Sequence, residues 1–107
     1  MSIVEKPTID KFADSIRDIL GDRVSQIILY GSYASDDFVP GSDVDIAVIV
    51  DEKRPGDEEK IWDLSEEFRS KHNVEFVPKI YENSFFRKRE MENFSFYKEI
   101  SEKGINV

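Results

Sequence analysis

The stretch GSYASDDFVPGSDVDIAVIV, residues 31–50, puts two alternating aspartates at the start of an apolar run. Side chains alternate along a strand, so Asp43 and Asp45 share one face, while Val44 and every second residue after it share the other, which we expect to be core. The two Cα atoms are two strand rises apart, about 6.5 Å, and at this spacing both carboxylates can bind one ion. Charges this close repel, so one carboxyl tends to stay protonated unless a divalent cation binds between them. Carboxylate oxygens favour Mg²⁺ or Mn²⁺, although a surface turn followed by a solvated strand end gives the same pattern.

A Gly-Ser pair precedes the aspartates, at the end of another apolar run. Residues 24–30 predict a short buried strand, and Gly31-Ser32 follows it directly. Glycine lets a phosphate approach the backbone, and Ser32 can cap a short helix over residues 33–36, whose free amides attract an anion. A simple strand-ending turn is the alternative. The combination of this Gly-Ser pair with the two aspartates is less ordinary. Ten residues, 33–42, separate the two motifs, and a phosphate site after the first strand would then lie beside a metal site at the start of a neighbouring strand.

The rest of the chain supplies helices and strands around these motifs. Thr8 is a plausible N-cap of the first helix and Gly21 its stop. Acidic residues 57–59 suit the positive end of a second helix, which Asn73 can close, and Pro78 favours an edge position for the strand that contains it. The predicted elements are helix 8–20, strands 24–30 and 44–50, helix 57–73, strand 74–81 and a helical tail from 83 to 104. This order predicts an α/β (α+β) fold in which helices cover a short mixed sheet.

Composition narrows the functional classes. At 107 residues the chain is predicted to form one domain, 1–107, and 39% hydrophobic residues suffice for a core. A net charge of −8 argues against direct nucleic-acid binding, but it does not exclude a nucleotide held through metal ions. The chain has no cysteine, no signal peptide and no apolar stretch approaching about 18 residues, so we expect a soluble, cytoplasmic protein that does not bind membranes.

In these motifs the sequence resembles minimal nucleotidyltransferases, small stand-alone members of the DNA polymerase beta-like nucleotidyltransferase superfamily. The matching residues are Gly31, Ser32, Ala34, Pro40, Ser42, Asp43 and Asp45. The resemblance implies that Asp43 and Asp45 bind two Mg²⁺ ions, with Mn²⁺ as an alternative metal. It also implies that Gly31, Ser32 and Ser42 hold the nucleotide.

The resemblance further implies a third carboxylate on a later strand, and the stretch NVEFV offers Glu75 at that place. Glu75 lies between Val74 and Phe76, so it points away from the face that those residues bury. An ordinary exposed strand glutamate is the alternative. Glutamate is longer than the aspartate that most members carry. The chain also has Ser35-Asp36, followed by Asp37, where many members have Arg-Gly, so we expect weaker nucleotide binding.

Other polar and aromatic residues carry weaker signals. His72 lies at a predicted helix end, where a positive charge interacts favourably with the helix dipole. We therefore expect this role for His72 rather than that of a metal ligand. The basic residues 87–89 can reach a phosphate or form a solvated helix surface. The tail is rich in large apolar groups, most of which should cover the sheet while the surplus forms a partner surface. These groups are Phe85, Phe86, Met91, Phe94, Phe96 and Tyr97.

The resemblance implies a metal-dependent enzyme that transfers a nucleoside monophosphate, AMP from ATP, to a hydroxyl acceptor. In that function Asp43, Asp45 and Glu75 are the catalytic and metal-binding residues. The acceptor is expected on a HEPN-domain protein, with this chain acting as the antitoxin of a toxin–antitoxin pair, and the chain can also form homo-oligomers. The alternative is a catalytically weak or inactive binding module that neutralises or scaffolds its partner by contact, which the residues Ser35-Asp36-Asp37 and the aromatic tail favour.

Overall fold

The computed structural model describes residues 6–31 and 43–107. The helices are α1 (Lys6–Leu20), α2 (Asp57–His72), α3 (Asn83–Met91) and α4 (Ser95–Lys103), and the strands are β1 (Val24–Tyr30), β2 (Val44–Val50), β3 (Phe76–Glu82) and β4 (Ile105–Asn106). A short 3₁₀ turn, Gly21–Arg23, links α1 to β1. No helix in the described part of the chain is both long enough and apolar enough to cross a membrane.

The strands within the described residues form one mixed sheet in the order β3-β2-β1-β4. β1 is antiparallel to both β2 and β4, whereas β2 is parallel to β3. This arrangement confirms the predicted α/β (α+β) class. β3 is an outer strand of the described sheet, where Pro78 is tolerated because an edge position does not require its missing N–H.

Helices cover both faces of β2. On one face, Val44, Ile46 and Val48 belong to the main core, together with residues of α1 and α2. On the other face, Ala47 and Ile49 pack with Phe86 of α3 and Ile100 of α4. Every residue from 46 to 50 is buried, so a solvent-accessible carboxylate on β2 can lie only where the strand begins.

The predicted element boundaries hold at some positions and are wrong at others. Gly21, with φ of 65°, ends α1 as predicted, and Asn73, with φ of 55°, closes α2. Thr8 is not the N-cap of α1, because the helix already includes Lys6 and Thr8 lies in its first turn. The tail is not one helix, because Asn93 adopts φ of 63° between α3 and α4. The two-residue strand β4, which the sequence pattern did not indicate, pairs with β1.

An ion pair between Arg23 and Asp57 joins the start of β1 to the start of α2. The Arg23 guanidinium donates two hydrogen bonds to the carboxylate of Asp57, at 2.7 and 2.9 Å, and the Arg54 backbone N–H donates a third at 2.7 Å. Asp57 is only 1% exposed. The hydrogen bonds from Arg23 lower the pKa of Asp57 to about 2. The sequence pattern had assigned Asp57 only a favourable interaction with the helix dipole, and so it missed this buried pair.

Replacing Asp57 with Asn should lower the free energy of unfolding by roughly 2 to 3 kcal/mol at neutral pH, because the Arg23 charge then loses its partner. The folded-state pKa of Asp57 is below its ordinary value of 3.8, so the stabilisation is complete above that value and is lost as the pH falls towards 2. Urea unfolding at a series of pH values should therefore show the parent and the Asp57→Asn variant converging in acid.

The matched control is Glu59→Gln, an exposed position in the same helical turn, which should change stability by less than about 0.5 kcal/mol. A difference between parent and Asp57→Asn that stays constant down to about pH 2 would show that the ion pair is not its source.

Candidate active site

The end of β1 and the beginning of β2 meet at Gly31 and Asp45. Tyr30, the last residue of β1, is the cross-strand partner of Asp45. Gly31 has φ of 78°, which residues with a side chain rarely adopt. A Cβ atom at Gly31 would lie 2.5 Å from Oδ2 of Asp45. Glycine is therefore the residue that lets the backbone lie against this carboxylate.

Asp45 lies at the boundary between core and solvent, and Asp43 is exposed. Burial raises the pKa of Asp45, the charge of Asp43 raises it further, and the charge of Lys79 opposes both effects. A cation bound at the two carboxylates would favour the ionised form of Asp45 and so oppose both effects. Hard carboxylate oxygens are the donors that Mg²⁺ and Mn²⁺ prefer, so this pair fits a divalent metal ion.

Glu75 lies one residue before β3, beside the beginning of β2. Its backbone C=O accepts a hydrogen bond of 2.9 Å from the Val44 N–H, and Val44 is the register partner of Phe76. Continuing this register places Glu75 on the face of Asp43 and Asp45. In residues 6–31 and 43–107, no three or more His, Cys, Asp or Glu side chains are grouped so that they could hold a metal ion. The role of Glu75 as third ligand therefore stays a prediction.

Part of the predicted nucleotide site lies outside the described residues. This applies to Ser32 and Ser42, to the predicted short helix at 33–36, and to the acidic substitution at residues 35–37. Their roles in nucleotide binding stay predictions.

The weaker sequence candidates contact other protein side chains. His72 is exposed and packs on Phe68, with ring centroids 5.0 Å apart. Arg87 donates to Glu90 at 3.1 Å and to Gln26 at 2.7 Å. These contacts are those of a helix end and a helix surface.

Two residues near Asp45 were missed by the sequence reasoning. Tyr30 is half-buried, and burial raises its pKa well above the ordinary value, with smaller contributions from Tyr81 and Asp45. Lys79 is the register partner of Ala47 and shares the face of Asp45. Alternation along the third strand from Glu75 could have identified Lys79, whereas the position of Tyr30 depends on an antiparallel register that no local pattern reveals.

Replacing Gly31 with Ala should weaken Mg²⁺ or Mn²⁺ binding by about tenfold or more, because the added methyl group would displace the Asp45 carboxylate. Gly21→Ala is the matched control. Its φ of 65° imposes similar backbone strain, but no described atom lies within 4 Å of the position that its Cβ would take. Calorimetric titration with Mn²⁺ and thermal unfolding separate the two effects. Unchanged metal affinity in Gly31→Ala would exclude Asp45 from the metal site.

Comparison with known proteins identifies a family for this chain. Residues 9–99 match the model of the nucleotidyltransferase domain. Two Methanocaldococcus jannaschii proteins, each named "putative protein adenylyltransferase", are 31% identical over 100% of both chains and 29% identical over 94% of both chains. The crystal structure of a "putative nucleotidyltransferase" from Sulfolobus solfataricus has a TM-score of 0.46 and 17% identity, covering 96% of this chain and 87% of that one. Since the family match runs from α1 into α4, the chain belongs to the nucleotidyltransferase domain family.

Proposed function

We propose that this protein is a metal-dependent nucleotidyltransferase that transfers AMP from ATP to a hydroxyl group on a partner protein. The observation that carries the proposal is the contact between Gly31 and Asp45 at the only accessible end of β2, on the face that Glu75 shares. Family membership supports nucleotidyl transfer. The names of the two Methanocaldococcus jannaschii relatives support AMP as the transferred group and a protein as the acceptor.

In this function Asp43, Asp45 and Glu75 hold two Mg²⁺ ions, for which Mn²⁺ can substitute. When bound, the ions polarise the acceptor oxygen and offset the negative charge of the triphosphate. Glu75 also helps to take the proton of the acceptor hydroxyl. The acceptor oxygen then bonds to the α-phosphorus of ATP as the bond to the bridging oxygen breaks and pyrophosphate leaves.

Gly31, Ser32 and Ser42 hold the triphosphate in this proposal. Because Gly31 has no side chain, its backbone lies against the Asp45 carboxylate, so a triphosphate held at Gly31 would lie beside the proposed metal ligands. Lys79 adds positive charge on the sheet face of Asp45. In the sequence, Ser35 stands where many members of the family have Arg.

The acceptor is proposed to be a HEPN-domain toxin, which this chain inactivates in the cytoplasm as the antitoxin of a toxin–antitoxin pair. The support is the resemblance to minimal nucleotidyltransferases.

A second function is neutralisation of the partner by contact alone. The surface formed by α3 and α4 exposes several large apolar side chains, with Met91 82% exposed and Phe94 45% exposed. Patches of this kind on a small domain mark interaction surfaces. The sequence Ser35-Asp36-Asp37, which follows Gly31-Ser32 closely along the chain, favours this function over catalysis.

Replacing Asp45 with Asn should reduce nucleotidyl transfer on the order of a thousandfold while leaving the fold intact, because the amide keeps the shape but loses the metal-binding charge. Label transfer from α-³²P-ATP to the partner protein, with Mg²⁺ present, measures this directly. Asp51→Asn is the matched control, since Asp51 is an exposed aspartate just beyond the opposite end of β2. An Asp45→Asn protein that still protects against the toxin, with no nucleotide on the partner, would overturn the transferase proposal.

The contact function predicts that partner binding depends on the exposed apolar surface of α3 and α4. Met91→Ser combined with Phe94→Ser should abolish partner binding in a pull-down assay while the melting temperature changes little, because neither side chain belongs to the buried core. Ile19→Ser, an exposed apolar position on α1, is the control and should leave partner binding unchanged. Retained binding by the double variant would exclude this surface as the contact site.

A further inference from the structure

A cavity of about 270 Å³ lies between the end of β1 and helix α4, on the sheet face that carries Asp45. Its lining residues are Tyr30, Gly31, Phe96, Glu99, Ile100, Lys103 and Gly104. Gly31 belongs both to this cavity and to the contact with Asp45, so the cavity opens directly beside the proposed metal and phosphate site.

Aromatic rings form one wall of the cavity. Phe96 packs edge-to-face on Tyr30, with centroids 5.9 Å apart, and on Tyr97, with centroids 5.3 Å apart. Phe96 nevertheless stays 44% exposed. Two perpendicular neighbours hold this ring in place while part of its surface remains open, which suits stacking by a flat ligand.

The opposite part of the cavity is closed by the end of α4. A Cβ atom at Gly104 would overlap the Ile28 side chain and the Ile100 backbone oxygen, so α4 lies directly against β1 at this point. At the rim, Glu99 and Lys103 form an exposed ion pair at 3.7 Å. Their carboxylate and ammonium groups can exchange this partner for the hydrogen-bonding edge of a ligand.

We propose that this cavity binds the base of the nucleotide whose phosphates lie at Gly31 and Asp45. The inference rests on the proposed function and extends it, because it places the nucleoside on Phe96 and α4. The volume is below the range of roughly 300–1,000 Å³ typical of sites for whole small molecules. It suits the nucleoside part of ATP, with the triphosphate left outside at the carboxylates.

The chemistry of the lining favours a base over a phosphate group. Aromatic and aliphatic side chains stack on flat heterocycles, and every nucleobase offers such a face. The carboxylate of Glu99 repels an anion, whereas it can accept a hydrogen bond from an exocyclic amino group.

The test compares ATP with inorganic tripolyphosphate, which has the same chain of phosphates but no nucleoside. Calorimetric titrations are run with Mg²⁺ on the parent, Phe96→Ala, Phe96→Leu and Phe85→Ala. Phe85 is the matched control, because it is 42% exposed and packs edge-to-face on Tyr97 at 5.9 Å but does not line the cavity. We expect both Phe96 variants to bind ATP about tenfold more weakly than the parent and to bind tripolyphosphate equally well, while Phe85→Ala resembles the parent.

Each other result has a definite meaning. Equal affinity of the parent for ATP and tripolyphosphate would overturn the base site and leave the proposed function standing. The same loss of ATP affinity in Phe85→Ala and Phe96→Ala would also overturn it, because the effect would then come from general loosening of the aromatic tail. If neither ATP nor tripolyphosphate binds to the folded parent, both the base site and the proposed function are overturned.

Discussion

Burial of β2 on both faces is the constraint on which the rest of this structure depends. Helices pack against each side of the strand, and residues 46 to 50 have no access to solvent. Charge is therefore confined to the beginning of the strand, where Asp43 and Asp45 lie. On the neighbouring strands, Gly31 lies against Asp45 at the end of β1, and the Glu75 backbone hydrogen-bonds to Val44 at the beginning of β2.

The parallel register between β2 and β3 is held on the core face of the sheet, opposite to the face of the carboxylates. Phe76 fits into the core against Phe12, with centroids 4.0 Å apart, and against Phe68 at 5.7 Å. A slip of one residue would expel this ring and move Glu75 to the opposite face. The packing of Phe76 against α1 and α2 thus determines which face Glu75 shares with the two aspartates.

Local pattern was sufficient for the fold class and for three of the strands, because each strand is a short apolar run bounded by turn residues. It also predicted that Asp43 and Asp45 lie at the beginning of the second strand, since alternation is a property of a single strand, whereas their role as metal ligands stays a prediction. It failed where the answer depends on contacts distant in sequence. The partner of Asp57 is Arg23, and the strand paired with the outer edge of β1 is Ile105–Asn106; neither pairing has a local signature.

Pro78 also affects how this sheet meets other molecules. The hydrogen bond from Val44 to Glu75 implies, in a parallel ladder, that the backbone groups of alternate residues, including Pro78, face away from β2. A foreign strand arriving at that side would find no N–H at the centre of the row, and it would meet the exposed charge of Lys79 nearby. Strands as apolar as VDIAVIV are prone to cross-β stacking, and proline and lysine are common means of preventing it. The residue that confines β3 to an edge thus also protects the sheet against growth into fibrils.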